Sequence, residues 1–174
     1  MIKEFFQQRS LRSHASPDPT GLIPLSAVRS AVAFIDVEDT SFNECKNALM
    51  AFFRENGIKG DIFFFDFRKL TEGERLITSI TTTVLKKDLN WFGRPKQEKI
   101  DLMLSGEPDM FLSLLPAGSY PLEFMATCSR ARFKIGRQQM ASDVFDLVVQ
   151  DPSDKKLSEL EAFHGVVKLL QKIV

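Results

Sequence analysis

Two cysteines, two histidines, one tryptophan and one tyrosine are the scarce residues of this 174-residue chain, and each scarcity excludes something. Cys45 and Cys128 lie far apart and neither belongs to a C-x-x-C, so they offer no metal pair and call for no oxidising compartment. Each falls in a predicted helix near its apolar face, where an unpaired thiol is ordinarily buried. His14 and His164 stand alone, without the His-x-x-x-His or His/Cys clustering of a metal site. Charge of one sign is also missing. Twenty-three basic residues cancel 23 acidic ones, so no global field recruits nucleic acid or an anionic membrane. No apolar run approaches the roughly 20 residues of a membrane span. The opening MIKEFFQQRSLR has neither a continuous apolar core nor a small-residue cleavage site, and a cytoplasmic location is expected. G-x-G-x-x-G, G-x-x-x-x-G-K-[ST] and G-x-S-x-G are all absent, and no cofactor, metal or nucleophilic triad is predicted.

What is present is a core. Hydrophobic residues make up 44% of the chain, a length that suits one domain burying roughly 70% of its unfolded surface. Sixteen phenylalanines give an odd aromatic balance. They either fill the core or form an apolar patch for a partner chain, which is costly to leave in water.

The stretch Asp109–Gly136 organises the rest. Asp109–Leu115 is an apolar run ended by the turn Pro116-Ala117-Gly118-Ser119. Ser119 can cap a helix whose first turn accepts Pro121. Leu122, Met125, Ala126 and Ser129 recur at helical spacing, and Phe133–Gly136 resumes as strand. This is a βαβ unit, which predicts a parallel sheet. Upstream, Ser30–Asp36 is a strand apolar on both faces and hence central. Ser41 and Glu44 form a capping box for a helix with Phe42, Cys45, Leu49, Phe52 and Phe53 on one face, stopped at Asn56-Gly57. Asp61–Phe67 is the second strand, Arg68–Thr78 mostly loop, and Ser79–Lys86 a half-polar edge strand. A short helix starts at Pro95. Val144–Gln150 is a sixth strand, and Pro152-Ser153-Asp154 opens a last helix with a stripe from Leu157 to Ile173. The pattern predicts an α/β, Rossmann-like three-layer sandwich with a mostly parallel six-stranded sheet in the order 3-2-1-4-5-6. Residues 1–29 read as an N-terminal helix and a Pro/Ser-rich arm, and residues 30–174 as the Rossmann-like domain. Three readings of the helix at 2–12 compete: docked on its own domain, a partner-binding helix, or an interfacial membrane anchor, for which four apolar positions are few.

In such a sheet, ligands sit beyond the carboxyl ends of the strands at the switch point between the first and fourth. The loops Asp36–Thr40, Asp66–Lys69, Asp88–Arg94, Pro116–Ser119 and Gly136–Gln139 are expected to gather there. Asp36, Asp66 and Asp88 lie near strand ends, either as partners in acid–base chemistry or as turn and cap residues. Gly118 and Ser119 precede a helix N-terminus that can meet an anion or be a plain capped turn. Asp88–Pro95, DLNWFGRP, is the most individual segment. Trp91 and Phe92 can stack a ring while Arg94 holds a carboxylate or phosphate; alternatively they plug the sheet edge or meet a protein. Arg94 and Arg137 would hold an anion in the cleft, with Asp36 as polar partner.

The blocks DLNWFGRPK, FLSLLPAGSYPLEFMATCSRARFKIGR and VFDLVVQ resemble a family of short uncharacterised proteins from Bacteroidetes, a domain of unknown function that implies no activity. More distantly, Asp109–Gly136 is similar in plan to the N-terminal domain of heptosyltransferase-like glycosyltransferases of the GT-B type. Those enzymes carry the nucleotide sugar on a second domain with no counterpart here, and Asp36-Val37-Glu38-Asp39 lacks their Gly-Asp motif. That resemblance implies the fold and argues against an autonomous transferase.

The expected function is a non-catalytic binding or protein-interaction module. A homodimer or an unidentified protein partner would use the N-terminal helix, the arm, the edge strand and DLNWFGRP. The alternative is a binder or enzyme for an anionic small molecule, a nucleotide or sugar phosphate, in the strand-end cleft. Asp36, Asp66, Trp91, Arg94, Gly118, Ser119 and Arg137 are its candidate residues. No nucleic acid and no membrane span enter either reading.

Overall fold

A computed structural model describes residues 1–71, 76–116 and 118–174. Residues 72–75 of the loop read over Arg68–Thr78, and Ala117 of the turn before the fourth helix, lie outside the described residues. Five helices are present among the described residues: α1 (Ile2–His14), α2 (Phe42–Glu55), α3 (Gln97–Met103), α4 (Tyr120–Cys128) and α5 (Glu159–Leu170). Six strands, β1 (Ser30–Asp36), β2 (Lys59–Asp66), β3 (Thr83–Leu85), β4 (Met110–Ser113), β5 (Phe133–Gly136) and β6 (Leu147–Val148), make one sheet. Its order is β3-β2-β1-β4-β5-β6 and every pairing is parallel. The α/β sandwich and its strand order are as the sequence predicts.

β1 is central because it can be buried on both faces. Ala33 sits between Ile62 of β2 and Leu112 of β4. The strand's period of two then divides its side chains between two cores. Ala31, Ala33 and Ile35 join the core beneath α2 and α5. Val32 and Phe34 join the core beneath α3 and α4. Phe34 meets the rings of Phe63, Phe65 and Phe111 at centroid distances of 5.6, 5.8 and 5.2 Å. Twelve of the sixteen phenylalanines are buried, so most of the aromatic excess is core. At Gly136 the Phe145 ring lies where a Cβ would project, so a glycine is required there for close approach.

Three expectations about element ends need correction. The edge strand read over Ser79–Lys86 contracts to Thr83–Leu85. Its start is taken by a 3-10 turn, Ile80–Thr82, whose Ser79 carbonyl accepts from Thr82 N and from the Thr82 and Thr83 hydroxyls. Asp88 caps the Leu85 N–H at 2.8 Å, so little edge is left for extending the sheet with a second chain. The sixth strand is only Leu147–Val148, because the Asp146 carboxylate, rather than a ladder carbonyl, takes the Lys134 N–H at 2.8 Å. The last helix begins at Glu159. Its true start signal is the capping box of Ser158 and Glu161, with Glu161 N donating to Ser158 Oγ at 3.2 Å.

α1 docks on α4, and the arm is laced to the sheet behind it. Ser16 N donates to Thr127 O and Gly21 N to Arg132 O, both at 3.0 Å. Arg130 pairs with Asp18 at 2.8 Å, and Ile23 and Val28 are buried.

Candidate functional site

Two places on this frame collect residues with chemical or binding potential. The first lies beyond the carboxyl ends of β1 and β4, at the switch point. β1 ends at Asp36, whose Oδ1 accepts from Glu38 N at 2.8 Å to turn the chain. Asp39 Oδ1 then accepts from Ser41 N and Oγ, at 2.8 and 2.6 Å. Neither Ser41 nor Ser119 makes the side-chain cap its position in the sequence suggests. Ser41 Oγ instead accepts from Leu160 N at 3.1 Å, tying the loop to α5. A cleft of about 550 Å³ opens between this loop, Pro116 and residues 156–161. Among the described residues, Asp36, Glu38, Asp39 and Glu161 line it, with Lys156 the cation facing them.

Glu159 anchors the same junction from below. It is fully buried, its Oε1 accepts from Asp36 N at 2.7 Å, and its own N–H donates to Asp39 Oδ2 at 3.2 Å. Burial pushes its carboxyl up to about 9, and Asp39 and Asp36 push in the same direction. Asp36 is also raised, by burial first and then by Glu38, Asp39 and Asp66 despite its bond to Glu38 N. Sequence reasoning missed Glu159. The apolar stripe contains only hydrophobic residues and so passes over Glu159, although Glu159 shares a helix face with Phe163, four residues on, and the Ser158–Glu161 capping box marks the helix start beside it.

The seven residues marked in the sequence do not converge. Asp36 alone lines the cleft. Arg137 is buried in the wall behind it, donating to Leu114 O at 3.0 Å, Asp151 Oδ1 at 2.7 Å and Leu157 O at 2.8 Å. Asp66 is buried under Arg68, whose Nε and Nη2 reach its two oxygens at 2.8 and 2.7 Å and hold its carboxyl below the usual range. Asp88 is committed to the Leu85 cap and to Lys96 and Lys99, at 3.5 and 3.8 Å. Gly118 N donates to Gln138 Oε1 at 3.4 Å, and Ser119 O accepts from Glu123 N at 2.9 Å. Arg94 and Trp91 lie apart from the cleft. Among the described residues, no group of three His, Cys, Asp or Glu side chains is placed to hold a metal.

The second place is where α1 meets the loop before α3. Asn90 Oδ1 accepts from Phe92 N and Arg94 N at 3.1 and 2.9 Å, and Gly93 takes a positive φ of 95°. This tight turn thrusts Trp91 outward. Arg94 lies over the Phe124 ring at 5.4 Å and donates to Gln97 Oε1 at 2.7 Å. Gln7 Nε2 donates to Phe92 O at 2.7 Å, clamping α1 to the turn. Phe6 then meets Trp91 edge-on at 5.2 Å and stacks near Phe92 at 6.0 Å. The aromatic pair therefore plugs against α1 rather than the sheet edge.

α1 is inverted relative to an ordinary surface helix. The residues it turns inward are Gln7, Ser10 and Leu11. Those it leaves in water include Ile2 at 71% exposure, Phe5 at 60% and Phe6 at 39%, beside Trp91 at 62%. The Ser10 hydroxyl is buried beside that of Tyr120, and neither has a hydrogen-bond partner in the described structure. Burial raises Tyr120 above the usual phenol range.

A family model matches residues 3–173. The chain belongs to DUF6913, a family of unknown function. No curated protein and no solved structure matches the chain. Among the described residues, no helix is long and apolar enough to cross a membrane. The family assignment spans α1 and the arm as well as the sandwich, so both candidate places lie within the family's own boundaries.

Proposed function

We propose that this DUF6913 chain is a non-catalytic, cytoplasmic binding module that engages a protein through the outer face of α1 and Trp91. The inversion of α1 carries the reading. A helix docked through Gln7, Ser10 and the single apolar Leu11, with Ile2 and Phe5 in water, forgoes about 25 cal/mol for each Å² of apolar surface left wet. A covering partner recovers that free energy, and contiguous exposed apolar patches mark such contacts. Trp91 and Phe5 are the side chains suited to anchor it, being large, rigid and prominent.

The alternative, a nucleotide or sugar phosphate in the strand-end cleft, has less support. The cleft is where the fold would put one. Its described lining does not favour an anion, since Asp36, Glu38, Asp39 and Glu161 outnumber Lys156 there and both Arg94 and Arg137 are engaged elsewhere. The likeness in plan to GT-B N-terminal domains bears on fold alone, and no sugar chemistry is proposed from it.

The test compares wild type with Phe5→Glu/Trp91→Ala as immobilised baits, scoring every protein retained, including further copies of the chain itself. The reading expects a protein held by wild type and lost from the double variant, at unchanged thermal melts. Equal retention by both baits, or none by either, would sink it.

A further inference from the structure

We infer that the partner of the α1 face is a second copy of this chain, paired α1 to α1 in antiparallel fashion about a twofold axis near Gln7. The inference rests on the interaction-module reading above and names its partner. Its basis is that one helix face carries both a knob and the hole that fits it. Phe5 is the knob, projecting into solvent. One turn further along, about 6 Å away, a hollow of about 370 Å³ is lined by Phe5, Gln8, Arg9, Arg12 and Ser13. Antiparallel pairing centred on Gln7 brings Phe5 of each copy level with Arg9 of the other, over that hollow. This is the reciprocal pattern a twofold interface requires.

The charges agree with the same register. Exposed Glu4, paired within its own chain with the amino group of Met1, lies toward the amino end of α1, and exposed Arg9 and Arg12 toward its carboxyl end, where they can compete for Glu4. The axis that seats Phe5 in the hollow sets Glu4 of one copy level with Ser10 of the other, between Arg9 and Arg12. A parallel pairing would instead align Glu4 with Glu4 and arginine with arginine. Trp91 flanks the helix and extends the apolar contact beyond it. α1 is only about 20 Å long, so the contact belongs with small interfaces and gives a reversible, concentration-dependent dimer.

Analytical ultracentrifugation of the full chain over a concentration series tests this with charge reversal. Wild type is expected to move from the mass of one chain toward two as concentration rises. Glu4→Arg and Arg9→Glu/Arg12→Glu should each weaken the dimer about tenfold or more, since the twofold axis counts every reversed pair twice. An equimolar mixture of the two variants should recover it, because every facing pair is then opposite in sign. All three substitutions are at exposed positions, and circular dichroism melts check that the fold is kept. A wild-type chain at single mass throughout overturns the inference. So does a dimer indifferent to the reversals, or a mixture that fails to recover. If the chain is monomeric while Phe5→Glu/Trp91→Ala still abolishes capture of another protein, the second-copy partner is wrong and the module reading survives. Binding to phosphatidylserine vesicles that depends on Phe5, by a monomeric chain, overturns both in favour of a membrane surface.

Discussion

α5 and α1 are helices of similar length packed on opposite faces of the same sheet, and they solve the docking problem in opposite ways. α5 turns Ala162, Phe163, Val166 and Leu170 inward and leaves Glu161, His164 and Lys168 in water. Its position follows from its own periodicity. α1 turns Gln7 and Ser10 inward with Leu11 as its one apolar core contact, and leaves Ile2 and Phe5 out. Its position follows from a side-chain bond to Phe92 O and from ring contacts with a turn some 85 residues away. The difference teaches that α5 serves the stability of the sandwich, whereas α1 offers a surface.

The largest expected effect sharpens this contrast directly. Phe163 is buried against Phe52 at 5.5 Å. Phe163→Ala should cost about 3–5 kcal/mol in denaturant unfolding, the loss of a ring plus the cavity left behind. Phe5→Ala should stay within about 0.5 kcal/mol on the monomeric chain, because the ring is mostly in water already. Comparable losses for the two would break the comparison.

The next effect concerns the buried polar group of each helix. Glu159 in α5 carries a carboxyl raised from 4.5 to about 9, so the native state keeps a proton that the unfolded chain releases. Its contribution is fully present below about pH 4.5 and is lost progressively as pH rises toward 9. Glu159→Gln keeps the amide oxygen that accepts from Asp36 N while removing the titration. The variant should therefore gain on wild type as pH rises from 5 to 8, by at most about 1.4 kcal/mol per pH unit. Unfolding midpoints at several pH values check this, and a difference that is flat with pH would mean that the carboxyl is ionised in the native state.

The smallest effect is at α1. Ser10→Ala removes a buried hydroxyl that has no hydrogen-bond partner in the described structure, so thermal melts should shift by no more than about 0.5 kcal/mol in stability. A loss well above that would show the Ser10–Tyr120 contact to be a real hydrogen bond and α1 to be more firmly anchored than its geometry indicates.

These contrasts also mark how far the sequence could be read. The buried face of α2, with Phe42, Cys45, Leu49, Phe52 and Phe53, is legible residue for residue, because a helix buried through an apolar stripe writes its orientation in its spacing. Strand order and the location of the cleft follow from βα alternation in the same way. The lining of the cleft was not legible. A strand end points to Asp36, which does line the cleft, whereas charge alone points to Arg94 and Arg137, which do not. Guanidinium groups are satisfied wherever carbonyls, carboxylates or rings come within reach, and tertiary contacts brought those partners from Leu114, Asp151 and Phe124. The short β3 and β6 were overread because β-branched and apolar runs do not reveal which hydroxyl or carboxylate will take the backbone donors at a strand end.

By itself, then, the sequence determined the layers: hydrophobic periodicity is local, and each amphipathic segment has one low-energy way to face a sheet. Only the tertiary structure decided which face α1 shows to water and where the buried carboxyl of Glu159 lies. Both depend on a few contacts between residues far apart in the chain, Gln7 and Phe6 with the Trp91-Phe92 turn and Glu159 with Asp36 and Asp39. No local pattern encodes such pairs, because their free energy exists only once the sheet has brought the two ends together.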